Sequence, residues 1–159
     1  MALYGRKLSW AIARQKIGDN RPSGSLLSLF NEKDIPTFKV SYVYAIIIPE
    51  SSLRGPYSHS MRTTACTILA GCVDIVYFDK PTGLYEKLSI MADDPVQVVI
   101  PPDTPFCLIG TSKSPAIVVN ICDFPWSPDS KECTIPDFKC DYVDNLLKRE
   151  PSHADQERS

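Results

Sequence analysis

Apolar and polar residues alternate with a period of two along much of the chain. The clearest runs cover residues 41–48, 73–79, 97–100 and 116–121, and they are rich in β-branched and aromatic residues. Successive side chains of a β-strand point to opposite faces, so this period predicts strands with one buried face.

Turn residues separate these runs into short pieces. The sequence has 14 prolines and 7 glycines. The strand-like runs end at Pro49-Glu-Ser-Ser, Lys80-Pro-Thr-Gly, Pro101-Pro-Asp and Ser112-Lys-Ser-Pro. Many short strands at regular spacing predict an all-β sandwich or barrel.

Helical periodicity occurs near the end of the chain. Residues 141–149 place Val143, Leu146 and Leu147 on one side, which predicts a short C-terminal helix. Residues 9–17 fit a strand or a short amphipathic segment equally well. We expect one domain over residues 1–150, with residues 1–17 as an N-terminal arm and residues 151–159 as a flexible polar tail.

Composition and charge exclude several classes of partner. Hydrophobic residues make up 43% of the 159 residues, which is enough for a core, and the net charge is −2. Phosphate binding needs clustered Lys and Arg, so we expect no nucleic-acid partner. The apolar run 45–48 is too short to cross a bilayer, and no export signal is recognisable. We therefore expect a cytoplasmic domain with no membrane partner.

The six cysteines show neither a disulfide nor a zinc pattern. They are Cys66, Cys72, Cys107, Cys122, Cys133 and Cys140, and no two have CxxC spacing. Several lie inside apolar strand-like runs, where cysteine behaves as a small hydrophobic residue. We expect buried free thiols.

The order of the remaining motifs resembles one family. They are Gly18-Asp-Asn-Arg-Pro-Ser-Gly-Ser-Leu, Asp34-Ile-Pro, a strand with Tyr42 and Tyr44, Arg54-Gly with a histidine, Leu69-Ala-Gly-Cys, Ile100-Pro-Pro and Cys122-Asp-Phe-Pro-Trp-Ser-Pro. Together they resemble the small cupins that act on nucleotide sugars, especially dTDP-4-keto-6-deoxyglucose 3,4-ketoisomerases and also dTDP-4-dehydrorhamnose 3,5-epimerases. The resemblance covers roughly residues 16–138. It implies a double-stranded β-helix (jelly roll), a homodimer with exchanged or paired strands, and a small-molecule substrate such as a dTDP-linked keto sugar.

The family's catalytic histidines are mostly replaced in this chain. The ketoisomerase pattern Arg-Gly-x-His-x-His reads here Arg54-Gly-Pro-Tyr-Ser-His59, so Tyr57 takes the first histidine position and His59 keeps the second. Phe106 stands at a further histidine position, and Trp126 at the position of the epimerases' acid tyrosine. Lys39-Val-Ser lacks the arginine that ketoisomerases carry before their tyrosine strand.

His59 and Tyr57 are the candidate catalytic residues. Isomerisation beside a carbonyl needs a base with a pKa near the working pH, and imidazole fits this requirement better than a phenol. His59 would be the base and Tyr57 the acid, because residues i and i+2 of a strand share a face. A purely structural, hydrogen-bonded His59 is the alternative. One such histidine does not provide the ligand set of a metal-dependent cupin, so we expect no metal and no cofactor.

Five further residues are candidates for substrate binding: Arg54, Tyr44, Arg62, Phe106 and Trp126. Arg54 suits a phosphate or sugar oxygen because guanidinium is planar and always charged. The alternative for Arg54 is a turn arginine paired with Glu50. Arg62 and Lys39 would add positive potential for a diphosphate. Tyr42 and Tyr77 are further candidates for the barrel mouth, with plain core as the alternative for all the aromatic residues.

Three functions remain open at this point. The first is a metal-independent isomerase that moves a proton beside the carbonyl of a keto-sugar nucleotide. The second is a cyclase or isomerase for a hydrophobic natural-product intermediate, in a dry pocket lined by Phe106 and Trp126. The third is a relative that binds a ligand or partner without catalysis, in which His59 faces away from the cavity or side chains fill the cavity.

Overall fold

A computed structural model describes residues 3–14, 22–31, 33, 35, 37–127 and 129–148, with the backbone alone for residues 12–14, 22 and 23. Twelve strands lie within these ranges. The first six are β1 (Tyr4–Lys7), β2 (Trp10–Arg14), β3 (Pro22–Leu27), β4 (Tyr42–Ile48), β5 (Leu53–His59) and β6 (Thr64–Ala70). The others are β7 (Cys72–Asp79), β8 (Leu84–Met91), β9 (Val96–Ile100), β10 (Phe106–Gly110), β11 (Ala116–Cys122) and β12 (Cys133–Thr134), followed by helix α1 (Asp141–Leu147).

The strands form two facing antiparallel sheets. The first sheet has the order β1-β9-β6-β11-β4, and the second has the order β12-β5-β10-β7-β8. Strands β2 and β3 form a separate hairpin. Successive strands from β4 to β11 distribute between the two sheets in the pattern of a jelly roll. The predicted all-β jelly roll with a short C-terminal helix is therefore confirmed.

Three apolar clusters hold the layers together. The central cluster lies between the sheets and includes Ile48, Ile68, Ile75, Val98 and Val118. A second cluster packs the segment around Ile35 and Phe38 on the outer face of the first sheet. A third packs α1, through Val143, on the outer face of the second sheet. The outer face of each sheet is thus covered by a segment of the chain, and the inner faces of the two sheets together form the core and a cavity.

Strand β4 keeps the period of two that the sequence shows. Tyr42, Tyr44 and Ile46 are half-buried and face the interior, while Val43 and Ile47 are 55% and 66% exposed. The strand lies at the edge of its sheet and pairs on one side with β11. Its outward face is therefore an apolar surface beside an open sheet edge.

Strand β5 contains an irregularity that changes which side chains face inward. Against β10, Leu108 pairs with Arg54 and Phe106 pairs with Tyr57, so three steps on β5 match two on β10. Such a β-bulge shifts the alternation by one residue. Arg54 therefore faces the interior together with Tyr57 and His59, all three of which line one cavity. Regular alternation would have placed Arg54 on the opposite face from the other two.

Gly55 makes this bulge sterically possible. Its φ is +109°, in the region that favours glycine, and a Cβ atom there would lie 3.0 Å from the Phe106 carbonyl oxygen. The Gly55–Pro56 peptide bond is cis.

Other sequence predictions had mixed outcomes. Helix α1 matches the predicted helix through residue 147 and is followed by its C-cap Lys148, and residues 10–14 are a strand. Residue 149, residues 15–17 and the tail 151–159 lie outside the described residues. Cys66, Cys107, Cys122 and Cys140 are buried as expected, but the expectation was wrong for Cys133, which is exposed because β12 is an edge strand.

The domain boundaries stay predictions. None of the helices in the described ranges has the length and apolar character needed to cross a bilayer.

We predict that Gly55→Ala destabilises the fold more than Gly83→Ala does. Both glycines have positive φ, which costs an alanine about 1–2 kcal/mol, but Gly83 has no atom within 4 Å of the added Cβ. Urea unfolding of both variants measures the difference, which reflects the close approach of Gly55 to β10 and its φ of +109°, outside the left-handed region that Gly83 occupies at +69°. An equal loss of stability in the two variants would contradict the role assigned to Gly55.

Candidate active site

A cavity of about 370 Å³ opens between the two sheets. This volume lies within the range typical of small-molecule sites. Its walls are lined by Tyr42, Tyr44, Ile46, Arg54, Tyr57, His59, Arg62, Thr64, Phe106, Leu108, Asn120, Trp126 and Cys133. Aromatic and aliphatic side chains dominate, with a few polar groups between them.

The second sheet contributes an aromatic cluster around His59. The ring centroid of His59 lies 6.3 Å from that of Tyr57 and 6.1 Å from that of Phe106. Tyr57 and Phe106 are register partners on β5 and β10 and meet edge to face. The imidazole thus lies in a largely apolar wall, and the His59 side chain is only 11% exposed.

Glu132 holds the imidazole from behind. Its Oε2 atom lies 3.1 Å from Nδ1 of His59, and its side chain is only 2% exposed. An ionised carboxylate can only accept hydrogen bonds, so Nδ1 carries the proton in this contact. Nε2 then keeps its lone pair, and none of the described residues forms a hydrogen bond with it. This is the tautomer that a general base requires.

Arg62 completes a buried charge cluster. Its Nη2 atom donates a hydrogen bond to Oε1 of Glu132, and the Arg62 side chain is 3% exposed. The Nε atom of Arg62 is buried without a partner among the described residues, which costs about 1–3 kcal/mol. The cluster is therefore not arranged for stability alone.

Burial lowers the pKa of His59 below its ordinary value of 6.5. Desolvation disfavours the charged imidazolium, and the Arg62 charge acts in the same direction. Glu132 opposes both effects, through its charge and its hydrogen bond, without reversing the shift. The imidazole is consequently neutral at neutral pH, as a proton acceptor must be.

Backbone pairing brings Glu132 to this position. The short strand β12 follows Glu132 directly, and its first residue, Cys133, pairs with His59 at the end of β5. The Ser60 N–H also donates a hydrogen bond of 2.8 Å to the Glu132 carbonyl oxygen. Glu132 thus meets His59 although the two residues are 73 positions apart in the chain.

The first sheet contributes the opposite wall. Tyr44 on β4 and Asn120 on β11 are register partners, and both line the cavity. Burial raises the pKa of Tyr44 to about 12, although the positive charge of Arg62 favours the phenolate. The hydroxyl therefore stays protonated across the physiological range.

Each of the predicted site residues lines this cavity: His59, Tyr57, Arg54, Tyr44, Arg62, Phe106 and Trp126. Their surroundings differ. Phe106 is buried, whereas Trp126 is 58% exposed at the rim, and Arg54 is exposed. The charge of Arg62 is already matched by Glu132, so it adds less positive potential than the sequence suggested. Lys39 and Tyr77 are not among the lining residues.

Two residues of the site were missed by sequence reasoning. Glu132 follows a Ser-Lys pair in a polar connection, and no local pattern marks it as buried. Asn120 could have been found. It is the third of the alternate residues that face inward on this strand, and the two before it, Ala116 and Val118, are apolar. A polar residue at an inward strand position is unusual enough to mark a site.

No group of three or more His, Cys, Asp or Glu side chains within the described ranges is placed to hold a metal ion. The absence of a metal and of a cofactor stays a prediction.

Comparison with known families shows no matching family model, and no curated protein matches the sequence. Solved structures do match. A dTDP sugar isomerase from Desulfovibrio desulfuricans G20 is 18% identical with a TM-score of 0.66, over 83% of each chain. The 3'-monoepimerase ChmJ from Streptomyces bikiniensis, in complex with dTDP-quinovose, is 15% identical with a TM-score of 0.67, over 91% of this chain and 84% of ChmJ.

A third similar structure is the rmlC epimerase of Mycobacterium tuberculosis, at 11% identity and a TM-score of 0.68, over 84% of this chain and 68% of the epimerase. Isomerases and epimerases of nucleotide sugars are thus the structural neighbours, as the sequence resemblance predicted. At these identities the likeness establishes the fold alone: the chain has the jelly-roll fold of these enzymes.

We predict that His59 makes the free energy of unfolding depend on pH near neutrality. The His59 imidazole binds a proton at lower pH in the folded state than in the unfolded state, where histidine titrates near 6.5. Stability from His59 is therefore fully present above pH 6.5 and is lost as the pH falls through the lowered pKa of the folded state. Urea unfolding at pH 7.5 and 5.5 should show a larger loss for the wild type than for His59→Gln. Equal losses would contradict a depressed pKa.

Proposed function

We propose that the chain is an isomerase-type enzyme that moves a proton beside a carbonyl group without a metal or cofactor. One observation carries the proposal: His59, oriented by buried Glu132, lines an open cavity with its Nε2 lone pair available. A histidine that faced away, or a cavity filled by side chains, would have supported a binding function without catalysis.

The reaction begins with removal of a carbon-bound proton. His59 Nε2 accepts the proton, and the carbon–hydrogen bond electrons form an enolate with the neighbouring carbonyl. Glu132 stabilises the imidazolium that forms, because its carboxylate accepts the Nδ1 hydrogen bond. Tyr57, on the same face of β5, protonates the enolate oxygen. General catalysis of this kind is worth about 10²–10⁴ in rate.

A keto sugar linked to a nucleotide is the substrate class we propose first. The structurally similar enzymes are a dTDP sugar isomerase and a 3'-monoepimerase in complex with dTDP-quinovose. Arg54, exposed at the cavity wall, is suited to a phosphate oxygen. Tyr44, Phe106 and Trp126 would contact the sugar or the base.

A second candidate substrate is a hydrophobic natural-product intermediate that undergoes cyclisation or isomerisation. It is favoured by the apolar side chains of Ile46, Phe106 and Leu108 in the cavity wall and by the neutralisation of Arg62 by Glu132. The same His59–Glu132 pair would act on the carbonyl of that compound.

We predict that the enzyme exchanges deuterium into dTDP-4-keto-6-deoxyglucose in deuterated water, measured by NMR. His59→Gln should lower the exchange rate at least 100-fold, because it removes the base. The matched control is His153→Gln, which replaces the second histidine of the chain and should leave the rate unchanged. A new 3-keto sugar would identify a ketoisomerase.

Binding is tested separately by alkylation of Cys133, which lines the cavity and is exposed. Bound dTDP should slow its reaction with iodoacetamide, and Cys133→Ser identifies the labelled thiol. No exchange together with no protection by dTDP would contradict the keto-sugar substrate and favour the hydrophobic one. Exchange that persists in His59→Gln would contradict the assigned base.

We also propose that the chain forms a homodimer through the β4 edge. This edge is unpaired among the described strands, and Val43 and Ile47 expose apolar side chains beside it. Open apolar edges favour pairing with a second chain. Sedimentation velocity should give about twice the chain mass of 17.7 kDa, and Ile47→Lys should shift the protein toward the monomer. A wild-type monomer at all concentrations would contradict this.

A further inference from the structure

Asn120 is a polar side chain on the cavity wall that contacts within the described residues do not explain. It is 4% exposed, its side chain lines the cavity, and it has no hydrogen-bond partner among the described residues. Buried amides in folded proteins are nearly always paired. An unpaired amide on a cavity wall is therefore available to a ligand.

Tyr44 lies directly across from Asn120 on the neighbouring strand. The two residues are register partners on β4 and β11, at the interior face of the first sheet. The charge of Arg62 acts on the Tyr44 hydroxyl, and none of the described residues accepts a hydrogen bond from that hydroxyl. Guanidinium has no acceptor, so the Tyr44 O–H cannot donate to Arg62 and remains free to donate to a ligand.

We infer that Tyr44 and Asn120 form an oxyanion subsite, which binds the carbonyl oxygen of the substrate and stabilises the negative charge that develops on it. This inference rests on the proposed function and extends it to the opposite wall of the cavity. The class of ligand group is a carbonyl oxygen that becomes an enolate oxygen. Arg62 is a positioning residue here, since it acts through Tyr44 and Glu132.

In this proposal the second sheet provides the groups that transfer protons, and the first sheet provides the groups that bind the oxygen. When His59 on the second sheet takes the carbon-bound proton, that bonding pair forms the carbon–carbon double bond and the carbonyl π electrons move to oxygen. The Tyr44 O–H and the Asn120 amide N–H donate hydrogen bonds to this oxyanion and keep their own protons. Tyr57 supplies the proton that neutralises the oxygen. As the new carbonyl forms, the Tyr57 phenolate takes the proton of the neighbouring hydroxyl, and His59 returns the abstracted proton to the adjacent carbon.

Hydrogen-bond donors held in place near an oxygen that becomes negatively charged stabilise the transition state strongly. Loss of one such donor typically lowers kcat by about 10²–10³. The buried setting makes them more effective than in water, because the surrounding dielectric is low. Asn120 thus finds its hydrogen-bond partner in the substrate.

A binding experiment tests the subsite without any turnover. The probe is 4-nitrophenol, whose absorbance distinguishes the phenolate from the phenol. The wild type should bind the phenolate more tightly than the phenol. Tyr44→Phe and Asn120→Leu should each weaken phenolate binding about tenfold or more, because a hydrogen bond to a charged oxygen is lost. The matched control Tyr77→Phe removes a hydroxyl outside the cavity lining and should bind like the wild type.

The kinetic arm uses deuterium exchange into dTDP-4-keto-6-deoxyglucose. Tyr44→Phe and Asn120→Leu should lower kcat about 10²–10³-fold and change KM less than threefold, because the oxygen gains its charge only in the transition state. Asn120→Leu should not lower the thermal midpoint, since it replaces an unpaired buried amide with an apolar group. If the leucine variant fails to fold, Asn120→Ala repeats both arms.

The outcomes separate this inference from the proposed function. Phenolate binding that is unchanged in Tyr44→Phe and Asn120→Leu would overturn the subsite, even if His59-dependent exchange is found. Weakened phenolate binding in both variants supports the subsite even if the keto sugar is not exchanged, in which case the proposed substrate fails and the oxyanion site stands.

Discussion

The buried carboxylate of Glu132 is the interaction on which the site depends. A carboxylate that is almost completely removed from water must be paired, and Glu132 is paired twice, with Arg62 and with Nδ1 of His59. The first contact places the positive charge of Arg62 against the carboxylate inside the protein. The second fixes the tautomer of the imidazole. Burial of the same cluster lowers the pKa of His59, so that orientation and protonation state have one common cause.

The geometry around this cluster comes from the backbone. The bulge at Gly55 brings Arg54, Tyr57 and His59 to one face of β5, and β12 brings Glu132 to the end of that strand. The first sheet faces them with Tyr44 and Asn120. The proposed enolate chemistry uses a proton acceptor on one sheet and oxygen-binding donors on the other. The jelly roll supplies both walls because its two sheets face each other across the interior.

The fold was largely predictable from the sequence because strand periodicity and turn residues are local signals. The runs at residues 41–48, 73–79 and 116–121 became β4, β7 and β11 with nearly the same bounds. The position of His59 and Tyr57 on the cavity wall was also predictable, since their spacing and type follow a recognisable motif. Glu132 was not, because its burial results from a contact across 73 positions. The pairing of Arg62 with Glu132 was missed for the same reason. An exposed cation and a buried ion pair look the same in sequence.

The most direct test of the central claim is NMR of the imidazole nitrogens in protein with ¹⁵N-labelled histidine. The chain has two histidines, so a His153→Gln sample assigns the signals of His59. We predict a neutral ring at pH 7 with the proton on Nδ1, an unprotonated Nε2, and a pKa of His59 below 6.5. Glu132→Gln should remove the preference for that tautomer. A proton on Nε2 at pH 7, or a pKa above 6.5, would contradict the assignment of His59 as a base oriented by Glu132.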